Sequence, residues 1–208
     1  MVLLKSLDNM LKWISIDRDM ELKLIITDFD GTLVDTFEAN YRAYQEAFAL
    51  NKLVLNRDDY QRCFGYRYND FMKVIGVTDD NVKKEIRRVK GEVYPHYFKY
   101  LQPNEPLINF IKAFHGVGQK TAIASTARRL NLVNALTYLR LTNIFDCIWT
   151  GEDVKYSKPD PEIYLKAMNY MKVQPCQTLI FEDSEIGCEA AEASGAHYIK
   201  ISSAFYGN

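Results

Sequence analysis

Three stretches of this chain are continuous apolar runs rather than alternating ones: Leu24-Ile25-Ile26-Thr27, Thr121-Ala122-Ile123-Ala124 and Leu179-Ile180-Phe181. A strand with one wet face alternates apolar and polar residues. A strand covered on both faces does not, which is the habit of parallel sheets flanked by helices. Strands are expected over 23–29, 120–125, 146–150, 178–182 and 197–201. Amphipathic spacing predicts helices between the later ones, over 107–115, 128–140, 161–171 and 185–194. Strand-helix alternation implies an α/β fold built on a doubly wound parallel sheet.

The stretch from Thr36 to Pro106 breaks the alternation and reads as helices only, over 37–50, 57–64, 69–75 and 80–101. The expected division is a core of residues 1–35 and 106–208 and a small all-helical cap of 36–105, inserted after the first strand. Such an insertion should lie over the carboxyl ends of the strands, where open parallel sheets bind ligands. Its hinges are expected near Val34–Thr36 and Pro103–Pro106. Eight of the 14 tyrosines fall in it, so most should pack at the cap–core boundary and one or two should reach a ligand.

The remaining composition excludes more than it identifies. A net charge of -1 gives no footprint for nucleic acid or an anionic membrane. The basic pairs Lys83-Lys84, Arg87-Arg88 and Arg128-Arg129 read as solvated helix faces. Cys63, Cys147, Cys176 and Cys188 are scattered without CxxC spacing, which argues against a disulfide framework or zinc site and suits a reducing, cytoplasmic setting. No apolar stretch approaches the ~18 residues of a membrane span. Leu3, Leu4, Leu7, Met10, Leu11 and Ile14 have helical spacing, interrupted by Asp8, and read as an amphipathic helix rather than a signal peptide.

Chemistry-bearing residues cluster at the predicted strand ends. The first strand runs into Asp28-Phe29-Asp30-Gly31-Thr32, two carboxylates one residue apart before a glycine turn. Strand alternation would send Asp28 and Asp30 to the same side, where they must share a proton or a cation. Ser125-Thr126 ends a second strand, Ser157-Lys158-Pro159 presents a lysine before a helix, and Glu182-Asp183 ends another apolar strand in two acids. If these tips converge, four carboxylates, a hydroxyl and an ammonium meet at one sheet edge. That set is too anionic to stand alone and suits a hard divalent cation such as Mg²⁺ with a phosphate completing its shell. Ser125, Lys158 and the backbone amides of the Asp30-Gly31 turn and Thr126 would then donate to phosphate oxygens.

In this order, Asp28-Phe29-Asp30-Gly31-Thr32, Ser125, Lys158-Pro159 and Glu182-Asp183 resemble the four motifs of the haloacid dehalogenase-like superfamily, over nearly the whole chain from Lys23 to Ile201. The cap position is similar to that of its helical-cap subgroup, which includes phosphoglycolate phosphatase, other sugar-phosphate phosphatases and β-phosphoglucomutase. The resemblance implies a Rossmann-like core and a Mg²⁺-dependent phosphatase of a small phosphorylated metabolite; the tyrosine-rich cap face leaves both a monomer and a homodimer open. It implies Asp28 as nucleophile, Asp30 as general acid and base, and Ser125 and Lys158 as holders of the phosphoryl group. Gly31 and Thr126 would contact substrate, and Asp28, Asp30, Asp183 and Glu182 would serve the metal, Asp30 through its backbone carbonyl and Glu182 through water.

Within the family, Asp30 argues against dehalogenation, because the dehalogenases lack an acid at that position. Phosphonatase chemistry would need a cap lysine; Lys73 is the nearest candidate, and a solvated helix face explains it better. The loop Cys63 to Asp70 resembles the cap loop through which these enzymes read substrate, with Arg67 a candidate contact. Tyr68 stands where the mutase loop carries its arginine, and Asn40 where the mutase helix carries a histidine. Both departures favour hydrolysis, with a phosphomutase as the alternative. A catalytically silent binding module is the third reading; it would be expected to have lost Asp28 or Asp183, and both are present.

Overall fold

The computed structural model describes residues 21–202, so the expected N-terminal helix lies outside the described residues. Five parallel strands form the central sheet: β1 (Leu24–Thr27), β4 (Lys120–Ser125), β5 (Cys147–Thr150), β6 (Thr178–Glu182) and β7 (His197–Lys200), in the order β5-β4-β1-β6-β7. Four helices cover it: α5 (Glu105–Gly116), α6 (Arg129–Tyr138), α7 (Glu162–Met171) and α8 (Glu185–Ala193). The alternation expected from the sequence is therefore the architecture.

The apolar runs have the predicted physical cause. Ile25 packs with Ile108, Ile111, Leu132 and Leu136 on one face. Leu24 and Ile26 pack with Ile163, Ala167, Met168 and Ala190 on the other. Both faces of β1 are dry, and its one polar residue, Thr27, donates its hydroxyl to the Asp28 carbonyl at 2.7 Å. β1 lies between β4 and β6, where the sheet reverses its winding direction, the place at which open α/β sheets leave a crevice.

The segment between β1 and β4 begins with β2 (Val34–Asp35), continues as α1 (Phe37–Leu50), α2 (Arg57–Arg62), α3 (Tyr68–Val74) and α4 (Asp80–Val93), and leaves through a 3₁₀ stretch (Tyr94–Tyr100) and β3 (Gln102–Pro103). The expected single helix over 80–101 is thus split at Pro95, whose ring and missing N–H end an α-helix at the preceding residue. The two expected hinge regions are neighbours: β2 and β3 pair antiparallel, Val34 with Pro103 and Asp35 with Gln102. Asn104 ties them further, its backbone N–H donating to the Leu33 carbonyl at 2.9 Å and its side chain to the Thr32 carbonyl at 3.2 Å. An aromatic cluster of Tyr41, Tyr44, Tyr60, Phe64 and Phe71, ring centroids 5.0–6.0 Å apart, packs α1 against α2 and α3. Three of the eight tyrosines of the insertion, Tyr41, Tyr44 and Tyr60, pack in this way, helix against helix within it rather than at its boundary with the core. No described helix is long and apolar enough to cross a membrane, and the four cysteines are free thiols.

Candidate active site

Strand register assembles the site. Thr27 stands level with Ile123 on β4 and Phe181 on β6. The next residues, Asp28, Ala124 and Glu182, therefore leave the sheet side by side, and the Asp28 N–H is fixed by the Phe181 carbonyl at 2.9 Å. Lys158 closes the row from the loop before α7. Its ammonium donates to Asp28 Oδ1 at 2.7 Å, to the Ala124 carbonyl at 3.2 Å and to Glu182 Oε1. Lys158, Asp28 and Glu182 are all buried. The Lys158–Pro159 peptide is cis.

Glu182 is surrounded by donors. Besides Lys158, its Oε1 accepts the Tyr164 hydroxyl at 2.8 Å. Its Oε2 accepts from the Asp183 and Ser184 backbone N–H groups at 3.1 and 3.2 Å and the Ser184 hydroxyl at 3.1 Å. Burial works against the carboxylate, but Lys158, Tyr164 and the Ser184 N–H together outweigh it and hold Glu182 below the usual range. Asp28 is pushed the other way, well above its ordinary value, by burial and by the neighbouring charges of Glu182 and Asp183, against the pull of Lys158. One ammonium cannot neutralise two buried carboxylates, and Glu182, with more donors, keeps the charge more readily. Burial also disfavours the Lys158 charge, yet Asp28, Tyr164 and Glu182 together hold its pKa well above normal.

Asp183 lies at the mouth, where burial raises it to about 6 against the Thr32 hydroxyl that donates to Oδ1 at 2.7 Å. A carboxyl oxygen of each of Asp28, Glu182 and Asp183 lies within 4.8 Å of the others. Gly31 permits the approach: its φ is +89°, and a Cβ there would stand 2.9 Å from the Asp183 carboxyl carbon. Three hard oxygen donors, two with raised pKa and a loop cut back to admit them, match the demands of a divalent cation such as Mg²⁺. With both Glu182 oxygens already accepting, Asp28 and Asp183 are the carboxylates left to touch an ion directly.

Asp28 and Asp30 do not share one environment, contrary to the expectation from strand alternation. β1 ends at Thr27 and the chain turns at Phe29, so alternation stops before either acid. Asp30 faces the helical insertion, where its Oδ1 accepts from the Thr36 hydroxyl and from Asn40 Nδ2 at 3.2 Å. Asn40 also donates to Thr36 Oγ1 at 3.0 Å. Ser125 is buried at the end of β4, its Oγ accepting the Ala127 N–H at 3.1 Å, while Thr126 is exposed.

A cavity of about 530 Å³ separates the insertion from the core. Asp30, Thr126 and Arg67 line it; Asp28, Ser125, Lys158, Glu182 and Asp183 do not, being packed beneath or beside it. Arg67 is exposed at its edge, just before α3. Tyr68 lines it too, with its hydroxyl donating to the Lys83 carbonyl. The cavity also holds residues the sequence reading passed over. Lys73 is exposed on α3, but Lys90 of α4 is buried and lines the cavity, its ammonium 3.8 Å from the Tyr94 ring centroid and 5.2 Å from that of Tyr44. Burial lowers it to about 8, with Asp30 opposing and Arg128 reinforcing the fall. Arg128 lines the same cavity instead of a solvated face, and Arg129 is tied to the Ile148 carbonyl at 3.0 Å and to Asp153 at 2.5 Å. The signal for Lys90 was available: it lies four residues after Ile86 and three before Val93, on the apolar side of α4.

The model of the haloacid dehalogenase-like hydrolase family matches residues 25–201. A phosphorylated carbohydrates phosphatase of Thermotoga maritima is 29% identical over 184 residues, covering 86% of this chain and 84% of that one. The protein CbbY of Rhodobacter capsulatus is 30% identical over 193 residues, covering 86% and 85%. The crystal structure of CbbY from Rhodobacter sphaeroides in complex with phosphate superposes with a TM-score of 0.76 at 25% identity, covering 86% of this chain and 85% of that one.

Proposed function

The chain belongs to the haloacid dehalogenase-like hydrolases, and within them we propose that it is a Mg²⁺-dependent phosphatase of a small phosphorylated metabolite, of the sugar-phosphate or phosphoglycolate type. The observation that carries this reading is Asp28, a buried carboxylate held at 2.7 Å by Lys158 with Asp183 beside it and Asp30 facing the cavity. The names of the relatives support the substrate class: one acts on phosphorylated carbohydrates. Residues 36–105 act as the cap over the core.

In this mechanism an Asp28 carboxyl oxygen attacks phosphorus, and the bond from phosphorus to the ester oxygen breaks. Asp30 gives its proton to the departing alkoxide, and an aspartyl-phosphate remains on Asp28. Asp30 then takes a proton from water, whose oxygen attacks phosphorus and releases inorganic phosphate with Asp28 restored. Lys158 and the Ser125 hydroxyl hold the phosphoryl oxygens, helped by the N–H groups of Gly31 and Thr126. Glu182 acts chiefly through Lys158, whose ammonium it keeps aimed at Asp28, and supports the metal only through water. Asp28, Asp183 and the Asp30 backbone carbonyl would hold Mg²⁺, which supplies positive charge against the phosphate and the acids. Hydrolysis of a phosphate monoester demands rate gains of up to ~10²¹, most of it from positioning and charge stabilisation of this kind.

Inorganic phosphate release from a panel of phosphorylated metabolites, with Mg²⁺ or with chelator, tests this beside an Asp28→Asn variant. The expected result is metal-dependent release that falls by about 10⁴-fold or more in the variant. Isomerised sugar phosphate without phosphate release would instead establish the phosphomutase alternative.

A further inference from the structure

Lys158, on the loop before α7, and Tyr164, in the first turn of that helix, converge on one atom of a different element. The atom is Glu182 Oε1 at the end of β6, which accepts from the Lys158 ammonium and, at 2.8 Å, from the Tyr164 hydroxyl. The ammonium also lies 5.2 Å from the centre of the Tyr164 ring. Its three protons are all placed: on Glu182, on Asp28 Oδ1 at 2.7 Å and on the Ala124 carbonyl at 3.2 Å.

Lys158 does not set this direction by itself, because its ammonium ends a flexible four-carbon stem. Glu182 sets it, and Glu182 must in turn be held. Its Oε2 is fixed by the Asp183 and Ser184 N–H groups and the Ser184 hydroxyl. A carboxylate held at one oxygen can still swing the other, so the position of Oε1 depends on its own donors. Of the two, Tyr164 is the rigid one. Its ring turns on two torsions and is 0% exposed, packed in the core cluster of Leu24, Ile26, Ala167 and Met168.

Packing alone does not call for the hydroxyl. A phenylalanine would fill the same space, and a hydroxyl taken out of water costs free energy unless it is bonded. Burial raises the phenol well above its ordinary pKa, Lys158 opposing and Glu182 adding to the rise, so at neutral pH it is a donor.

We propose that Tyr164 is a positioning residue of this site: its hydroxyl fixes Glu182 Oε1 and, through it, the direction of the Lys158 ammonium above Asp28. The consequence for turnover rests on the phosphatase reading. The ordering of Lys158 belongs to the chain without metal or substrate and is measurable separately.

Tyr164→Phe removes the hydroxyl and keeps the ring. With chelator present, the buried and fully bonded Lys158 ammonium should give a slowly exchanging proton resonance in ¹⁵N-edited spectra, identified by its absence from Lys158→Arg. In Tyr164→Phe its exchange with water should quicken by about 10-fold, because the ammonium opens more often once its acceptor swings. Exchange of the β1 backbone amides, read on the same sample, corrects for any change in overall stability. In the active enzyme kcat for phosphate release should fall by about 10-fold, the effect of one hydrogen bond to a charged group. Glu182→Gln removes the carboxylate through which Tyr164 acts, so adding Tyr164→Phe to it should change kcat by less than about twofold. A hydroxyl that served only packing would leave the ammonium exchange as it is. An unchanged exchange rate, an unchanged kcat in an active enzyme, or losses that multiply in the double variant would overturn the assignment. Faster exchange in a chain that turns over no phosphate ester would leave Tyr164 ordering Lys158 and remove the phosphatase reading instead.

Discussion

Gly187 and Glu182 approach so closely that a Cβ on Gly187 would overlap the carboxyl group of Glu182. The carboxylate cannot step aside, because Lys158, Tyr164, Ser184 and the Asp183 N–H all hold it. The first turn of α8 is thus cut to fit the residue that holds Lys158. Gly187→Ala should lower stability by about 1–3 kcal/mol, the range of overpacking in a close-packed interior. It should also reduce turnover, since the ammonium above Asp28 moves with Glu182. Urea unfolding and phosphate release on the same samples check this; an alanine variant with unchanged midpoint would show that Glu182 is not confined.

Lys158 stands between two buried acids, 2.7 Å from Asp28 and in contact with Glu182. Removing one member of a buried ion pair costs more than the pair contributes, because the surviving charge is left uncompensated. Lys158→Met, similar in length, should therefore destabilise the chain by about 3–5 kcal/mol with chelator present. Asp28→Asn removes a charge that is already poorly compensated and should be far milder. Comparison of the two denaturation midpoints decides: equal losses would mean that Lys158 contributes packing rather than charge.

Much of this was legible beforehand because it depends on local pattern. The dry runs of β1, β4 and β6 and the helix spacing around them dictated the sheet, and the acids at their ends marked its working edge. What escaped depends on distant partners. β2 and β3, two residues each, exist through pairing with one another and leave no periodic trace. Tyr164 looks like any core aromatic of α7 until β6 brings Glu182 to its hydroxyl. Arg128 resembled half of a surface pair because nothing local reveals that α4 passes over it. Lys90 differs: a lysine amid Ile86, Val89 and Val93 is a charge on a buried face, and that anomaly was readable.

Lys90 also sets a pH dependence of stability. Burial brings it to about 8; Asp30 opposes and Arg128 adds to the fall. Tyr44 and Tyr94 complete its surroundings. A lysine in the unfolded chain titrates near 10.5, so between pH 8 and 10.5 the unfolded state holds more protons and stability rises with pH. Below about pH 8 the folded chain bears the whole cost of the desolvated ammonium, about 3 kcal/mol. Lys90→Met should accordingly be the more stable protein at pH 7 and lose that advantage by pH 10.5. Denaturation of both proteins across this range tests it, and a difference that stayed constant with pH would refute it.

Asn40 and Thr36 together orient Asp30. Both donate to its Oδ1, and Asn40 is itself fixed by a 3.0 Å bond to Thr36, so the carboxyl group has little freedom to rotate. That leaves Oδ2 as the oxygen for the proposed general-acid role at the cavity. Removing the amide in Asn40→Ala should loosen Asp30 without touching Asp28 or Lys158. A loosened acid matters only when the leaving group needs its proton. Alkyl phosphates should therefore lose about 10- to 100-fold in kcat, part of the ~10²–10⁴ that general acid catalysis supplies. p-Nitrophenyl phosphate, whose phenolate departs unprotonated, should lose little. Asp30→Asn is the reference for complete loss and should widen the same gap between the two esters. If Asn40→Ala slowed both esters equally, Asn40 would be a structural support of α1, and the orientation of Asp30 would have to come from Thr36 alone.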